Sequence, residues 1–334
     1  QTAQAIAQEA KAIGVYWNLA PVADINSNPN NPVIGIRSFG ETPDVVSAHV
    51  KAYIDGTQNE NVLGCLKHFP GHGDTDVDSH LDLPKIKKTK SQIERFELLP
   101  FLAGFSSQVR SIMIGHLAVP AFDESNLPAS LSSKIIQEYL RNELGYNGLI
   151  VTDALDMNAI IKNFNTEQIP VLAINAGNNV LLMPDNPALA IELLTQSAMQ
   201  NDELKNKLLD SVNRIIAEKR WAKLIPEFHH PDLQQNLFTE HPNLALKIAY
   251  KSIEITDPHH LIPIKNVNLM SVFAILQKSE DMDAASRFMK MLADAAEFDC
   301  DFAYLDKNIN DEIINEILTQ TANADLIIFP IFFK

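Results

Sequence analysis

Short apolar runs alternate with longer stretches of helical periodicity through the first two-thirds of the chain. The runs are Val15–Val22, Val62–Leu66, Ser111–His116, Gly148–Asp153 and Asn179–Met183. Between them, residues 1–13, Pro43–Asn59, Ser91–Ser107, Ser132–Asn142, Thr166–Ala176 and the region from Pro187 to about Trp221 predict helices. Each run is apolar throughout rather than alternating, which predicts strands buried on both faces. That is the pattern of a parallel sheet covered by helices. Both a (β/α)8 TIM-type barrel and a doubly wound sheet fit this alternation.

The rhythm breaks at Leu224–His241, where Pro226, His229, His230 and Pro231 read as a linker. Beyond it a helix near Asn243–Ile253 precedes a strand near Leu269–Leu276. A helix over Met282–Glu297, a strand at Asp301–Leu305, a helix over Ile309–Thr321 and the apolar end from Leu326 complete a second, smaller α/β domain. The expected boundaries are 1–222 for the first domain, 223–241 for the linker and 242–334 for the second. All 12 glycines lie at or before Gly177. The second domain therefore has no glycine loop to cradle a phosphate, which removes a nucleotide-binding reading.

Composition narrows the classes. With 334 residues, 46% of them hydrophobic, the chain can build a large core and more than one domain. A net charge of −15 offers no basic surplus for nucleic acid or an anionic membrane. No segment approaches the roughly 20 apolar residues of a membrane helix. The two cysteines, Cys65 and Cys300, are far apart and argue against a disulfide framework. The N-terminus lacks a methionine and a signal-like core and reads as the middle of a helix, so the chain is expected to be part of something longer. Cytoplasm, periplasm and cell envelope all stay open as compartments.

Polar residues decide between the two sheet architectures. Asp24, Lys67, His68, His116 and Asp153 fall at or just beyond the C-terminal ends of different predicted strands. A barrel builds its active site on that face, from several strands at once. The densest stretch is 67–84, read as a loop hinged on Pro70, Gly71 and Gly73, with three histidines and four aspartates. An EF-hand calcium loop is not expected, because Ser79 and Lys85 stand where glycine and the bidentate glutamate belong. Zinc on His68, His72 and His80 is a weak alternative, since no helix pairs the ligands. A solvated loop without chemistry is the bland alternative. Asp153 reads either as a helix cap or as a nucleophile at a strand end. Asp78 and His80, two apart in an extended segment, point to one side, so the carboxylate can orient the imidazole.

Lys67-His68-Phe69-Pro70-Gly71-His72-Gly73 followed by Asp78-Ser79-His80 resembles the motif of the family 3 glycoside hydrolases, in their β-N-acetylglucosaminidase branch. Ala20–Asp24, Ile36–Gly40 and Val151–Met157 match as well, and the likeness covers residues 1 to about 220. It implies a TIM-type barrel followed by an α/β sandwich, with three further strands expected upstream of this chain. It also implies a retaining exo-β-N-acetylglucosaminidase acting on peptidoglycan fragments or chito-oligosaccharides. Asp153 would be the nucleophile, His80 the general acid/base and Asp78 its partner. Lys67, His68 and Arg37 would bind the sugar. No metal or organic cofactor is implied. A family 3 β-glucosidase and an inactive glycan-binding relic are the alternatives.

Overall fold

The computed structural model describes residues 1–75, 83–226, 237–254, 256, 272–277, 287–288, 290–291, 294, 300–305, 310–324 and 326–328. Asp78 and His80 lie outside the described residues. The chain divides into two compact units, Gln1–Ser252 and Ile253–Lys334.

In the first unit, helix α1 (Thr2–Ala12) leads into an extended segment over 15–23. This segment lies parallel to strand β1 (Cys65–Phe69) through Asn18 N–H to Leu63 O (2.8 Å), Cys65 N–H to Ala20 O (2.8 Å) and Ala23 N–H to Lys67 O (2.6 Å). Strands β2 (Ser111–Ile114) and β3 (Leu149–Thr152) continue the sheet in parallel, in the order β1-β2-β3. Val180 then bridges Val151 in parallel. Five extended segments thus lie side by side in chain order. Neighbours follow one another around a barrel in this way, whereas a doubly wound sheet reverses direction at a switch point.

Both faces of these strands are buried, which explains the unbroken apolar runs. Leu66, Phe69, Ile112, Ile114 and Ile150 pack outward among Val46, Val50 and Ile54 of helix α2 (Pro43–Gln58) and Phe101 of helix α4 (Leu99–Ser106). Cys65, Met113 and Val151 turn to the other face, against Trp17, Leu19, Val180 and Leu182. Fully burying a Leu, Ile or Val contributes about 1.5–3 kcal/mol, so each strand is held from two sides.

Several elements differ from their sequence expectation. β1 runs through Lys67, His68 and Phe69, so these residues belong to the strand and not to the loop after it. The helix expected over 91–107 is two helices, α3 (Lys90–Arg95) and α4. Pro100 in the first turn of α4 has no N–H to continue a helix from behind. The region from Pro187 divides into α7 (Pro187–Gln200) and α8 (Asp202–Trp221), with α5 (Asn158–Ile161) and α6 (Ile169–Ala176) before them. Asn201, extended at φ −138°, accepts from Glu203 N–H (2.9 Å) and Leu204 N–H (3.2 Å) and so caps α8. Lys134–Glu143 winds as a π-helix, with Leu144 N–H reaching Tyr139 O at 2.9 Å. Helix α9 (Leu237–Ser252) ends the first unit.

In the second unit β4 (Val272–Gln277) lies between β5 (Cys300–Leu305) and β6 (Leu326–Ile328), all parallel, and α10 (Asp311–Thr321) connects β5 to β6. Among the described residues no helix is long and apolar enough to cross a membrane.

Candidate active site

Strand periodicity builds the site. Lys67 stands two residues beyond Cys65, and Asp153 two beyond Val151, so both continue the inward-facing set past the last apolar layer. Asp153 extends β3 by one rung, its N–H bonding to Ile114 O at 2.9 Å. The register of β1 against β2 shifts between Leu66 and Phe69, and both Lys67 and His68 reach the same cavity. That cavity has a volume of about 180 Å³; Arg37, His72 and Asp153 share its wall with the apolar Leu19 and Met157.

A buried carboxylate organises one side. Asp24 Oδ2 lies 2.7 Å from His68 Nδ1, while the His68 N–H (3.1 Å) and the His72 N–H (2.7 Å) both donate to Oδ1. Burial pushes the Asp24 pKa up, but the charge of His68 and these hydrogen bonds outweigh burial and hold it below the usual carboxylate value. His72 Nδ1 is 2.7 Å from the Thr75 hydroxyl. Burial keeps the His72 imidazole below its ordinary pKa, although Asp24 pulls the other way.

The remaining parts arrive on loops tied to this core. Asn31 Oδ1 accepts from Val33 N–H and Ile34 N–H, both at 2.8 Å, and Asn31 Nδ2 donates to His72 O at 2.8 Å. This fixes the 3₁₀ turn Gly35–Arg37 and carries Arg37 to the cavity. Burial, and then the neighbouring Arg37 charge, lower the Lys67 pKa from its ordinary value, while Asp153 and Asp24 oppose them. His116, fully buried after β2, has Nδ1 2.7 Å from Ser130 Oγ and Nε2 2.8 Å from Ala154 O. Burial lowers its pKa against the pull of Asp153. A carbonyl oxygen only accepts, so His116 donates Nε2–H to Ala154 O and holds the residue that follows Asp153. Asp153 Oδ1 in turn accepts from Ala154 N–H at 2.9 Å.

Of the residues expected from sequence, the structure brings Asp153, Lys67, His68 and Arg37 to one cavity. Asp78 and His80 fall outside the described residues, so their roles stand on sequence alone. In sequence Asp24 and His116 are only polar residues at strand ends with no evident task, and Asn31 and Thr75 carry no signal of their own. The available signal was an acidic residue, Asp24, closing an apolar run with no cation nearby in the chain. Among the described residues, no group of three His, Cys, Asp or Glu side chains is arranged to hold a metal.

The family model described as the glycosyl hydrolase family 3 N terminal domain matches residues 1–217. The chain is 43% identical over 195 residues to the beta-hexosaminidase A of Pseudoalteromonas piscicida, covering 55% of this chain and 33% of that protein. It is 32% identical over 236 residues to a beta-hexosaminidase of Stenotrophomonas maltophilia (strain K279a), covering 70% and 67%. Among solved structures, a glycoside hydrolase family 3 beta-N-acetylglucosaminidase from Paenibacillus sp. str. FPU-7 superposes with a TM-score of 0.77 at 27% identity, covering 98% of this chain and 64% of that one. The chain spans between a third and about half of the length of the first curated relatives it matches, at 33% and 55%.

Proposed function

Because the chain belongs to glycoside hydrolase family 3, whose N-terminal domain is a TIM-barrel-type fold, we propose that it is a retaining exo-β-N-acetylglucosaminidase working through a covalent glycosyl-enzyme. The barrel-type catalytic domain would be 1–222; the α/β sandwich domain, expected from sequence over 242–334, would start later, with the second compact unit at Ile253, because α9 groups with the first unit. The observation that carries the reading is the Asp153 carboxylate facing Lys67, His68 and Arg37 across one small cavity at the C-terminal ends of the strands. Its volume of about 180 Å³ lies below the roughly 300–1,000 Å³ of common ligand pockets, which suits a single terminal sugar ring.

Asp153 attacks the anomeric carbon while protonated His80 gives its proton to the leaving oxygen. His80 then takes a proton from water, which displaces Asp153 and restores the starting configuration. Asp78 orients the imidazole. Histidine, with an ordinary pKa near 6.5, serves as acid and base around neutrality without the burial a carboxylic acid needs. Lys67, His68 and Arg37 hold the sugar hydroxyls. Peptidoglycan fragments and chito-oligosaccharides both present such a terminal residue.

The test is hydrolysis of 4-nitrophenyl N-acetyl-β-glucosaminide by the full-length protein, with proton NMR of the first anomer released. Asp153→Asn and His80→Ala are each expected to lose roughly two to four orders of magnitude in kcat/KM. A faster reaction on the plain β-glucoside would replace the substrate with that of a β-glucosidase, and binding without turnover would leave a glycan-binding protein.

A further inference from the structure

Lys88 stands between two carboxylates from different parts of the chain. Its Nζ is 3.0 Å from Asp74 Oδ2 and 2.5 Å from Glu97 Oε1, with the Phe96 ring centroid 5.2 Å away. The next residue, Thr89, closes a capping box on α3: Thr89 N–H donates to Gln92 Oε1 (2.9 Å), and Gln92 N–H to Thr89 Oγ1 (3.3 Å). The backbone under Lys88 is therefore fixed at a helix start. Glu97 lies in the connection between α3 and α4 and is only 2% exposed. Among the described residues its second oxygen, Oε2, has no hydrogen-bond partner. Burial raises the Glu97 pKa against the pull of Lys88.

A buried carboxylate with one oxygen unsatisfied costs stability, and an apolar side chain of the same size would pack there at lower cost. What Glu97 touches gives it a purpose. A Cβ at Gly71, whose φ is +124°, would sit 3.0 Å from Glu97 Cβ and 3.4 Å from Oε2. The Glu97 side chain thus lies against the backbone of Gly71, next in the chain to His72. Through Lys88 it also holds Asp74, whose neighbour Thr75 bonds His72. On the far side, Ala118 N–H bonds Pro84 O and Ile86 N–H bonds Ala118 O, both at 2.9 Å. The bridge Asp74–Lys88–Glu97 therefore joins residue 74 to residue 88, and by sequence the chain between these two residues carries Asp78 and His80.

We propose that Lys88 and Glu97 are positioning residues for the acid/base step: their bridge to Asp74 ties the entry and exit of the segment bearing His80 and braces both against the α3–α4 connection. The proposal rests on the reading of His80 as the acid. With Lys88 23% exposed and Glu97 2% exposed, the pair is not an ordinary surface ion pair, which would contribute little.

The experiment compares kcat/KM on aryl N-acetyl-β-glucosaminides with a poor leaving group (phenyl) and an activated one (2,4-dinitrophenyl), which leaves without a proton. Lys88→Met, Glu97→Gln and Lys88→Arg are measured beside His80→Ala in the full-length protein. General acid catalysis is worth roughly 10²–10⁴-fold, so loosening the acid's anchor is expected to cost roughly 10–100-fold on the phenyl glycoside. The dinitrophenyl glycoside should change by less than about threefold in the same variant, because its departure needs no acid. Lys88→Arg keeps the bridge charge and should restore most of the loss. Glu97→Gln preserves side-chain volume and carries the same test if Lys88→Met folds poorly. Equal losses on both substrates, or none on either, would overturn the proposal. If His80→Ala itself shows no dependence on the leaving group, the assignment of His80 fails and the proposal with it.

Discussion

Replacing Asp24 by alanine removes the acceptor for two backbone N–H groups, those of His68 and His72, and for the His68 ring. All three groups are buried. Each orphaned donor costs about 1–3 kcal/mol, and breaking one partner out of a buried charged pair costs about 3–5 kcal/mol in total. For a unit of this size, 1 kcal/mol corresponds to about 2–4 °C in Tm, so Asp24→Ala should melt roughly 6–20 °C below the parent. Asp24→Asn keeps the volume and one oxygen acceptor and should lose about half as much. The pH dependence follows from the direction of the shift. The folded-state pKa of Asp24 is held below the ordinary carboxylate value, so its stabilisation is fully present above that ordinary value. It is lost only as the pH falls through the lower folded-state value. Thermal denaturation followed by circular dichroism near neutral pH reads the effect directly. A difference under about 2 °C would mean that the three donors found other partners and that Asp24 does not anchor them.

Gly73 has no room for a methyl group: a Cβ there would lie 1.6 Å from the Ile25 carbonyl oxygen, a backbone atom that no rotamer change moves. Gly73→Ala is therefore expected to lose more than about 3 kcal/mol in denaturant unfolding, beyond ordinary overpacking. His116→Phe removes the donor to Ala154 O while keeping an aromatic ring at the position. If Asp153 is the nucleophile as proposed, the variant should lower kcat roughly 10–100-fold with KM little changed, since it shifts that carboxylate rather than the proposed sugar contacts; steady-state kinetics on an aryl N-acetyl-β-glucosaminide check it.

The parts of this molecule written in local pattern were legible in the sequence. Cys65, Met113 and Val151 belong to apolar runs too uniform for a half-exposed strand, and the parallel sheet follows from them. Lys67 and Asp153 could be placed at the strand ends, where both line the cavity, because each continues such a run with a charge. What was hidden depends on contacts distant in sequence. Asp24 meets His68 across 44 positions, and nothing near Asp24 in the chain announces that partner. His116 reads as one more polar residue at a strand end until Ser130 and Ala154 fold against it. Glu97 sits among Phe96, Leu98 and Leu99, where the periodicity continues a helix. Its burial beside Lys88 emerges only because Pro100 forces a second helix to start. The strand limit at Phe69 was hidden for a related reason. Lys67 and His68 look like loop residues, but Asp24 and the cavity satisfy them inside the sheet.

Asp153 is proposed to form a covalent bond to the sugar. Reaction with an N-acetylglucosaminyl fluoride carrying a second fluorine at C5 slows breakdown of the glycosyl-enzyme, so that the intermediate accumulates for peptide mapping by mass spectrometry. One fluorosugar attached to the peptide containing Asp153, and none in Asp153→Asn, is the expected result. Turnover without any adduct, or a label on a different carboxylate, would contradict it.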